Sequence, residues 1–449
     1  PEGIESKMLY SDIIHIAWPS LVELTLTQLA SMVDLMMVGQ LGPWALTAVG
    51  LTTQPKFLLM TMFMAMNVGA TAMVARYKGA GNQKKADEVL RQALLMTFVL
   101  GCVFAVIGFI AAPWLIKFMG ASEDHVLQAG VDYLRIQMIG LPGLALTSTI
   151  TATLRGVGNS KTAMIYNAMA NIINVIFNYM LIYGNFGAPR MEVAGASLAT
   201  IIGQYCAMFM AFYAVMNGQQ YIILRFRDGF KPNKEEIKKI VDIGAPAMVE
   251  QVVMRIGLII YTRTVAGLGT LPYAVHQVCL NIQSLSFMNG QAFAVSATSL
   301  TGQSLGKKRH DMAQAYTTRT RKLGMCVSIF LGVVFFFFGG QIVALYSGGD
   351  QSLVELGAVI MMFVAVVQPF QSSQLILAGA LRGAGDTKVT AAITFITVLL
   401  VRPALAIFAI NVLGMGLEGA WYALVADQIL RSLLVLLRYN SGAWKRHTM

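Results

Sequence analysis

The residues of this chain with most chemistry to offer are ionisable groups set inside long apolar stretches. Asp34 stands in Ala30-Ser-Met-Val-Asp-Leu-Met-Met-Val38. A charge at the centre of a bilayer costs about 2.5–3.5 kcal/mol on insertion scales, so such a group is a candidate ion or ligand site. Desolvation disfavours the carboxylate form, which suits Asp34 to taking up and releasing a proton. The blander alternative is an interfacial carboxylate satisfied by backbone groups. Glu250 and, more weakly, Glu23 raise the same question. Glu250 could meet a cation or pair with Arg255, although i, i+5 is a poor spacing for one helix face. Asp427 with Arg431 (i, i+4) and Asp132 with Arg135 (i, i+3) read as ion pairs along one helix. Arg402 precedes Pro403, where a kink would free carbonyls for it. Lys56 follows Pro55 and could reach a cavity.

Several other chemistries are missing from the pattern. The five histidines have no metal-ligand spacing. Cys102, Cys206, Cys279 and Cys326 lie far apart in apolar segments with no Cys-x-x-Cys, and read as small core hydrophobes, not a disulfide framework or a zinc site. Gly156-Val-Gly-Asn-Ser-Lys161 and Gly383-Ala-Gly-Asp-Thr-Lys388 look like phosphate loops but do not meet Gly-x₄-Gly-Lys-[Ser/Thr]. They are expected to cap helices, with Arg155 or Arg382 anchoring the turn. No His-Glu-x-x-His helix and no nucleophilic triad is present, so an enzyme is not expected.

The elements that must carry these residues follow from composition. The chain has 449 residues, of which 56% are hydrophobic and 12% charged, against about 25% charged in soluble domains. So few charges cannot cover a water-soluble globule, and so much apolar content excludes disorder. Taking roughly 20 mostly apolar residues as a span, twelve segments qualify: 13–38, 46–75, 92–116, 126–153, 162–184, 193–217, 240–266, 274–303, 323–346, 354–380, 389–412 and 418–437. No polar face persists along them, which argues against a soluble helical solenoid. The stretch Pro1 to Ser11 is polar and the first apolar run is too long for the h-region of a signal peptide, so a cleavable one is not expected. The expected fold is an all-α polytopic membrane protein.

Lys and Arg cluster in every second loop: 76–91, 225–239 and 306–322, the short turns at Arg155/Lys161 and Arg382/Lys388, and both termini. The opposite side carries only Lys117 and Arg190. The positive-inside rule then puts both termini in the cytoplasm. The basic excess of 33 Lys+Arg over 22 Asp+Glu is thereby used as a topology signal near anionic head groups, not as a nucleic-acid surface.

The two halves repeat. Pro19 and Glu23 lie over Pro246 and Glu250, and Leu41-Gly42 over Leu268-Gly269. Leu154-Arg-Gly-Val-Gly-Asn-Ser-Lys161 lies over Leu381-Arg-Gly-Ala-Gly-Asp-Thr-Lys388, each pair 227 positions apart. This predicts an N-terminal six-helix lobe over 1–217, a cytoplasmic linker over 218–239 and a C-terminal six-helix lobe over 240–449, the bundles related by pseudo-two-fold symmetry. Parallel repeats of this kind are a transporter architecture, with two bundles exposing a central cavity to alternate sides. No filter-like loop suggests a channel.

At these residues the sequence becomes specific. Pro19-x₁₄-Asp34-Leu-Met-Met-Val-Gly39-Gln-Leu-Gly42 resembles the first span of multidrug and toxic compound extrusion (MATE) transporters. So do the twin Leu-Arg-Gly-x-Gly-[Asn/Asp]-[Ser/Thr]-Lys loops, Ala274-Val-His276-Gln277-Val-Cys-Leu-Asn281, and Asn174-x₃-Asn178-Tyr-x-Leu-Ile-Tyr-Gly184. The resemblance covers nearly the whole chain, and its branch looks like the DinF-like group. It implies antiport in a prokaryotic plasma or inner membrane: organic, often cationic, amphipathic compounds leave while H⁺ or Na⁺ enters, with no other cofactor. It implies that Asp34 is the coupling carboxylate, joined by Asn174, Asn178 and Thr200. Many members carry Asp where this chain has Asn178, and the lost charge favours H⁺ over Na⁺. Glu250 matches a carboxylate of Na⁺-coupled members, whose second acidic position falls here on Gln371.

Substrate contacts are expected from Met32 and Met36, which share a helix face near Asp34, and from Gln54, Lys56, Glu250, Arg255, Gln277, Asn281 and Gln371. Thioethers suit promiscuous surfaces, although most of the 28 methionines read as packing. Phe335 to Phe338 reads as lipid-facing. A monomer suffices for alternating access. The rival reading is a lipid-linked precursor flippase of the wider superfamily, for which the spans are too few and the central Arg too sparse.

Overall fold

A computed structural model describes residues 6–118, 124–226, 229–345 and 350–446. Arg227 of the basic linker, the first five residues of the polar N-terminal stretch and His447 lie outside them. The described residues form helices: α1 (Ser6–Gly39), α2 (Pro43–Met64), α3 (Asn67–Gly79), α4 (Gln83–Phe118), α5 (Asp124–Gly156), α6 (Ser160–Tyr183), α7 (Val193–Met216), α8 (Lys234–Ala266), α9 (Thr270–Gly306), α10 (His310–Ala344), α11 (Gln351–Gly383), α12 (Thr387–Thr394), α13 (Arg402–Ile407) and α14 (Leu417–Asn440). They make twelve spans, α2 with α3 and α12 with α13 each composing one, as the hydropathy predicts. Among the described residues ten helical stretches are long and apolar enough to cross a membrane by composition alone. The other two, α5 and α9, carry buried Thr147, Thr149, Thr151 and Thr153, and Ser286, Ser296, Ser299 and Thr301, respectively. These hydroxyls are hydrogen-bonded inside the protein, so the two helices need not read as lipid-facing. The chain is a multi-pass membrane protein. Exposed Ile110, Phe209, Phe337 and Leu437 form the apolar surface that a bilayer covers and that water would not tolerate.

The helices outrun the hydropathy limits, because hydropathy marks the hydrocarbon-facing part and the helix continues into the polar zone. Arg91 begins inside α4, and Arg319, Arg321 and Lys322 lie inside α10, not in a loop; the connection there is only Lys307–Arg309. The second span is broken at Ala65–Met66, and the fragment beyond is pinned to α5 by Asn67, whose amide donates to Ser148 Oγ (3.1 Å) and whose Oδ1 accepts from Thr149 Oγ1 (2.9 Å). The eleventh span is not one α-helix. Phe395–Val401 and Phe408–Val412 are π-helical. Pro403 has no N–H to give the preceding turn, and a wider ladder accommodates the missing donor.

Two compact units emerge from the packing. One comprises Val22–Gly244, the other Pro1–Leu21 with Ala245–Met449. In the first, Phe63, Ile116, Leu134, Met138 and Leu141 form a core between α2, α4 and α5. In the second, Tyr261, Ile282, Ile360, Val364 and Trp421 form one, and Leu9, Ile13 and Ile16 of α1 pack with Leu300 and Tyr316.

The repeat is visible in atomic contacts within each unit. A Cβ on Gly156 would lie 2.8 Å from Thr71 O, and one on Gly383 2.3 Å from Thr298 O. Thr71 Oγ1 donates to Ala152 O (3.2 Å), and Thr298 Oγ1 to Gly379 O (2.8 Å). Gly158 and Gly385 both take φ 87° in the loop that follows, a left-handed turn that only glycine adopts freely. Asn159 caps α6 by accepting from Thr162 N. Asp386 does not cap; it takes both hydrogen bonds of Arg438 (2.7 and 3.1 Å).

Three smaller expectations are corrected. Phe335 is buried while Phe336 to Phe338 are exposed. Cys326 is exposed and Cys102 and Cys206 are half-buried, leaving only Cys279 in the core, because an apolar segment in a bilayer need not face the protein interior. Asp132 accepts from Gln128 (2.9 Å), and Arg135 donates to Phe109 O (3.2 Å) across to α4. The i, i+3 geometry did not bring those two charges together.

Candidate functional site

The α1–α6 interface is polar along its length. Asn167, Asn171, Asn174 and Asn178 recur at i, i+4, i+7 and i+11, a heptad stripe that turns one face of α6 toward α1. Asn167 Nδ2 donates to Glu23 Oε1 (2.7 Å), Asn171 Nδ2 to Thr27 Oγ1 (3.4 Å), and Asn174 Nδ2 to Asp34 Oδ2 (3.0 Å). Asn178 Nδ2 donates to Asp34 Oδ1. Each carboxylate oxygen of Asp34 therefore has its own amide donor, and Asn178 is fully buried behind it.

Asp34 opens onto a cavity of about 480 Å³ within the Val22–Gly244 unit. Lys56, Asn174 and Thr200 line it with Asp34, and Asn167, Asn171, Tyr133 and Gln204 add polar groups. The hydroxyl of Thr200 is directed to Ala196 O (3.0 Å). Ala30, Val38, Val49 and Leu144 supply apolar wall. A cavity of this volume falls within the roughly 300–1,000 Å³ of small-molecule sites. Its chemistry is one carboxylate, one ammonium and a ring of neutral donors and acceptors.

Glu23 lies eleven residues before Asp34 on the same helix. It accepts from Asn167 and forms an ion pair with Arg155 at 2.6 Å. The other unit repeats the arrangement. Glu250 pairs with Arg382 at 2.8 Å and accepts from Thr394 Oγ1 at 3.0 Å. Both carboxylates reach partners 132 and 144 residues onward. The ion-pair partner of Glu250 is thus Arg382, where the sequence had offered a cation or Arg255, the latter despite its poor i, i+5 spacing. The turn arginines of the two Gly-rich loops are the partners of the repeat-matched glutamates of α1 and α8.

Three further buried charges gather in the C-terminal unit. Arg402 and Arg431 both reach Asp427 Oδ2, at 2.6 and 2.8 Å, so the expected Asp427–Arg431 pair is present and gains a third member. Arg402 lies against the Tyr261 ring at 5.2 Å, and does not use carbonyls freed at Pro403. His276 is buried between the rings of Tyr261 and Trp421.

The remaining expected residues scatter. Met32 and Met36 are exposed at 41% and 68% and do not line the cavity. They do share a face, but each stands two residues from Asp34, about 200° around the helix. Gln54 is exposed and off the cavity. In the other unit Glu250 and Gln371 are buried, Arg255 is half-buried, and Gln277 and Asn281 are exposed on α9. Asn167, Asn171, Tyr133 and Gln204 were missed; for the two asparagines the heptad spacing was the available signal.

The MatE family model matches this chain twice, over residues 19–180 and 246–408. The matches begin at Pro19 and Pro246, the positions that open the internal repeat. The chain is 27% identical over 446 residues to a probable multidrug resistance protein NorM of Thermotoga maritima, covering 99% of this chain and 95% of that protein. It is 26% identical to the uncharacterized transporter YisQ of Bacillus subtilis, covering 96% and 94%. The structure resembles a multidrug and toxic compound extrusion transporter crystallised with MaD3S, at TM-score 0.89 and 21% identity over 97% of both chains. It resembles a MOP superfamily transporter from Pyrococcus furiosus equally well, at TM-score 0.89 and 21% identity, covering 97% and 96%. At that identity the structural likeness is one of fold. With both halves matched by one model and the repeat written into their contacts, the chain belongs to the MatE family.

Proposed function

We propose that this protein is a secondary active exporter of amphipathic organic compounds, exchanging them for H⁺ at Asp34 by alternating access in a prokaryotic plasma membrane, with both termini in the cytoplasm. The observation that carries this reading is the placement of Asp34: an intramembrane carboxylate, held by two amide donors, opening onto a cavity of drug-sized volume. A carboxylate there can hold a proton or a cationic group but not both well, and that competition is the chemical content of exchange. The multidrug resistance named for the Thermotoga maritima relative supports the substrate class. The neutral Asn178 beside Asp34 supports H⁺ over Na⁺, since a second carboxylate that would strengthen a metal-ion site is absent from that position. Glu23 and Glu250 are already engaged by Arg155 and Arg382, which supports a structural role for them. A monomer suffices for the mechanism.

The test is substrate-induced proton release from purified protein, wild type beside Asp34→Asn, with tetraphenylphosphonium in excess and with or without Na⁺. Release by wild type that is indifferent to Na⁺ and absent from Asp34→Asn is expected. Unchanged release from the variant, or a strict Na⁺ requirement, overturns the assignment of Asp34 as the H⁺ site.

A further inference from the structure

The segment between α7 and α8 is fastened to the Val22–Gly244 unit and turns an excess of cations outward. Ile222 and Leu224 are buried. The backbone around them is fixed: Gln83 Nε2 donates to Tyr221 O (2.8 Å), Ile223 N to Asp87 Oδ1 (2.9 Å) and Leu224 N to Val215 O (2.9 Å). Further on, Gln92 Nε2 donates to Lys231 O (2.9 Å), and Gln92 Oε1 accepts from Asn233 N (3.1 Å). The neighbouring carboxylates are used inward. Asp87 holds that backbone amide, and Glu88 accepts from Asn233 Nδ2. Glu236 is fully buried, pairs with Lys85 at 3.4 Å and Lys239 at 3.7 Å, and accepts from Tyr77 Oη. Arg225, Lys231, Lys234 and Lys238 stay exposed, and among the described residues of 218–239 Glu235 alone is an exposed carboxylate. An aromatic ladder runs between two of these cations. Phe226 stacks on Phe212 of α7 with ring centroids 6.4 Å apart, and meets Phe230 at 5.5 Å. Phe226 is nevertheless 55% exposed. Phe212 shares its helix face with Phe209, Tyr213 and Met216, all exposed.

We propose that this segment is a binding site for an anionic phospholipid, with Phe226 set among acyl chains beside α7 and Arg225 and Lys231 on the headgroup. The two cations flank the ladder in the chain, one residue before Phe226 and one after Phe230. A lipid fits better than a free anion because the ladder continues the apolar face of α7 that the bilayer covers; a soluble phosphate uses the cations and leaves Phe226 in water. An anionic lipid fits better than a zwitterionic one because the carboxylates that could balance Arg225 and Lys231 are engaged elsewhere. A choline headgroup brings its own ammonium to that surface, whereas an anionic one meets it with net attraction. The fastened backbone matters to the affinity. With Tyr221, Ile223, Leu224 and Lys231 already held by the unit, a bound lipid orders little more than side chains, and the entropic cost of binding is small.

The test places a reporter in the ladder with Phe226→Trp. The full chain is reconstituted into vesicles of equal dioleoylphosphatidylglycerol and dioleoylphosphatidylcholine, with one or the other lipid carrying dibrominated chains. The signal is the tryptophan quenching gained over the parent protein, which has five tryptophans of its own. Brominated phosphatidylglycerol is expected to quench the reporter more than brominated phosphatidylcholine, with a relative binding constant of roughly fivefold or more in its favour, the contribution of one engaged cation. Adding Arg225→Gln with Lys231→Gln, both exposed positions, is expected to bring that ratio close to unity. Raising the salt to about 0.5 M is expected to lower it without any further substitution. Lys307→Gln with Lys308→Gln, an exposed pair in the other unit, is expected to leave it unchanged, which ties the preference to this segment and not to the net charge of the protein. No quenching of the reporter by either lipid, equal quenching by both, or a ratio that survives the loss of Arg225 and Lys231 overturns the inference.

Discussion

Removing the charge of Asp427 should cost this protein more than almost any other single side-chain change. Asp427 is fully buried, and Arg402 and Arg431 beside it are each 5% exposed. Both guanidinium groups converge on a single oxygen, Oδ2, at 2.6 and 2.8 Å. Asp427→Asn keeps the shape and removes the anion, so two buried cations face each other with nothing between them. Breaking one buried ion pair costs about 3–5 kcal/mol, because the surviving charge stays desolvated. For a unit of this size each kcal/mol moves the melting temperature by about 2–4 °C, so a fall of roughly 6–20 °C is expected. The assay is thermal unfolding in detergent, followed by intrinsic tryptophan fluorescence. The informative companion is the triple variant Arg402→Met, Asp427→Leu, Arg431→Met. Replacing a whole buried charge cluster with apolar side chains is often neutral or stabilising, so the triple variant should recover most of the loss. An unchanged melting temperature for Asp427→Asn would mean the cluster is solvated, and a triple variant as unstable as the single one would mean its value lies in the ion pairs themselves. Either result refutes the argument. Asp311→Asn, which loosens an exposed pair with Arg309, should leave the melting temperature unchanged.

Three further outcomes follow from named contacts. Gly383→Ala and Gly156→Ala place a methyl against the carbonyls of Thr298 and Thr71 and should each destabilise by about 1–3 kcal/mol, while Gly416→Ala meets open space and should melt like wild type. A double-mutant cycle on Glu250→Gln and Arg382→Gln, read by thermal unfolding, should give a coupling of about 0.5–3 kcal/mol; a value near zero would remove the ion pair from the account. Asn178→Asp puts a second carboxylate beside Asp34 and should make substrate-induced proton release sensitive to Na⁺, which proton release measured with and without NaCl would show.

The sequence by itself determined the twelve spans, the alternation of basic loops and the repeat. The reason is that each is local or periodic: a bilayer demands a run of apolar residues of fixed length, and an internal duplication is legible as matching residues at one offset. It also singled out Asp34, because a lone carboxylate in an apolar run is conspicuous without any knowledge of its neighbours, and the Asn174–Asn178 spacing identified its partners through family resemblance. What it could not fix was which buried charges meet. Glu250 finds Arg382 and Glu23 finds Arg155 from 132 residues away, and spacing along one helix does not register such partners. Arg402 joins Asp427 because two helices pack, not because of Pro403. The facing of Met32 and Met36 away from Asp34 was open to helix arithmetic and was misjudged. The meeting of Lys56 and Asp34 in one cavity was decided by tertiary structure alone. Those two residues are brought together by the packing of α1 and α2 with the helices around them, and only that packing determines whether an intramembrane charge faces lipid, a partner or a ligand.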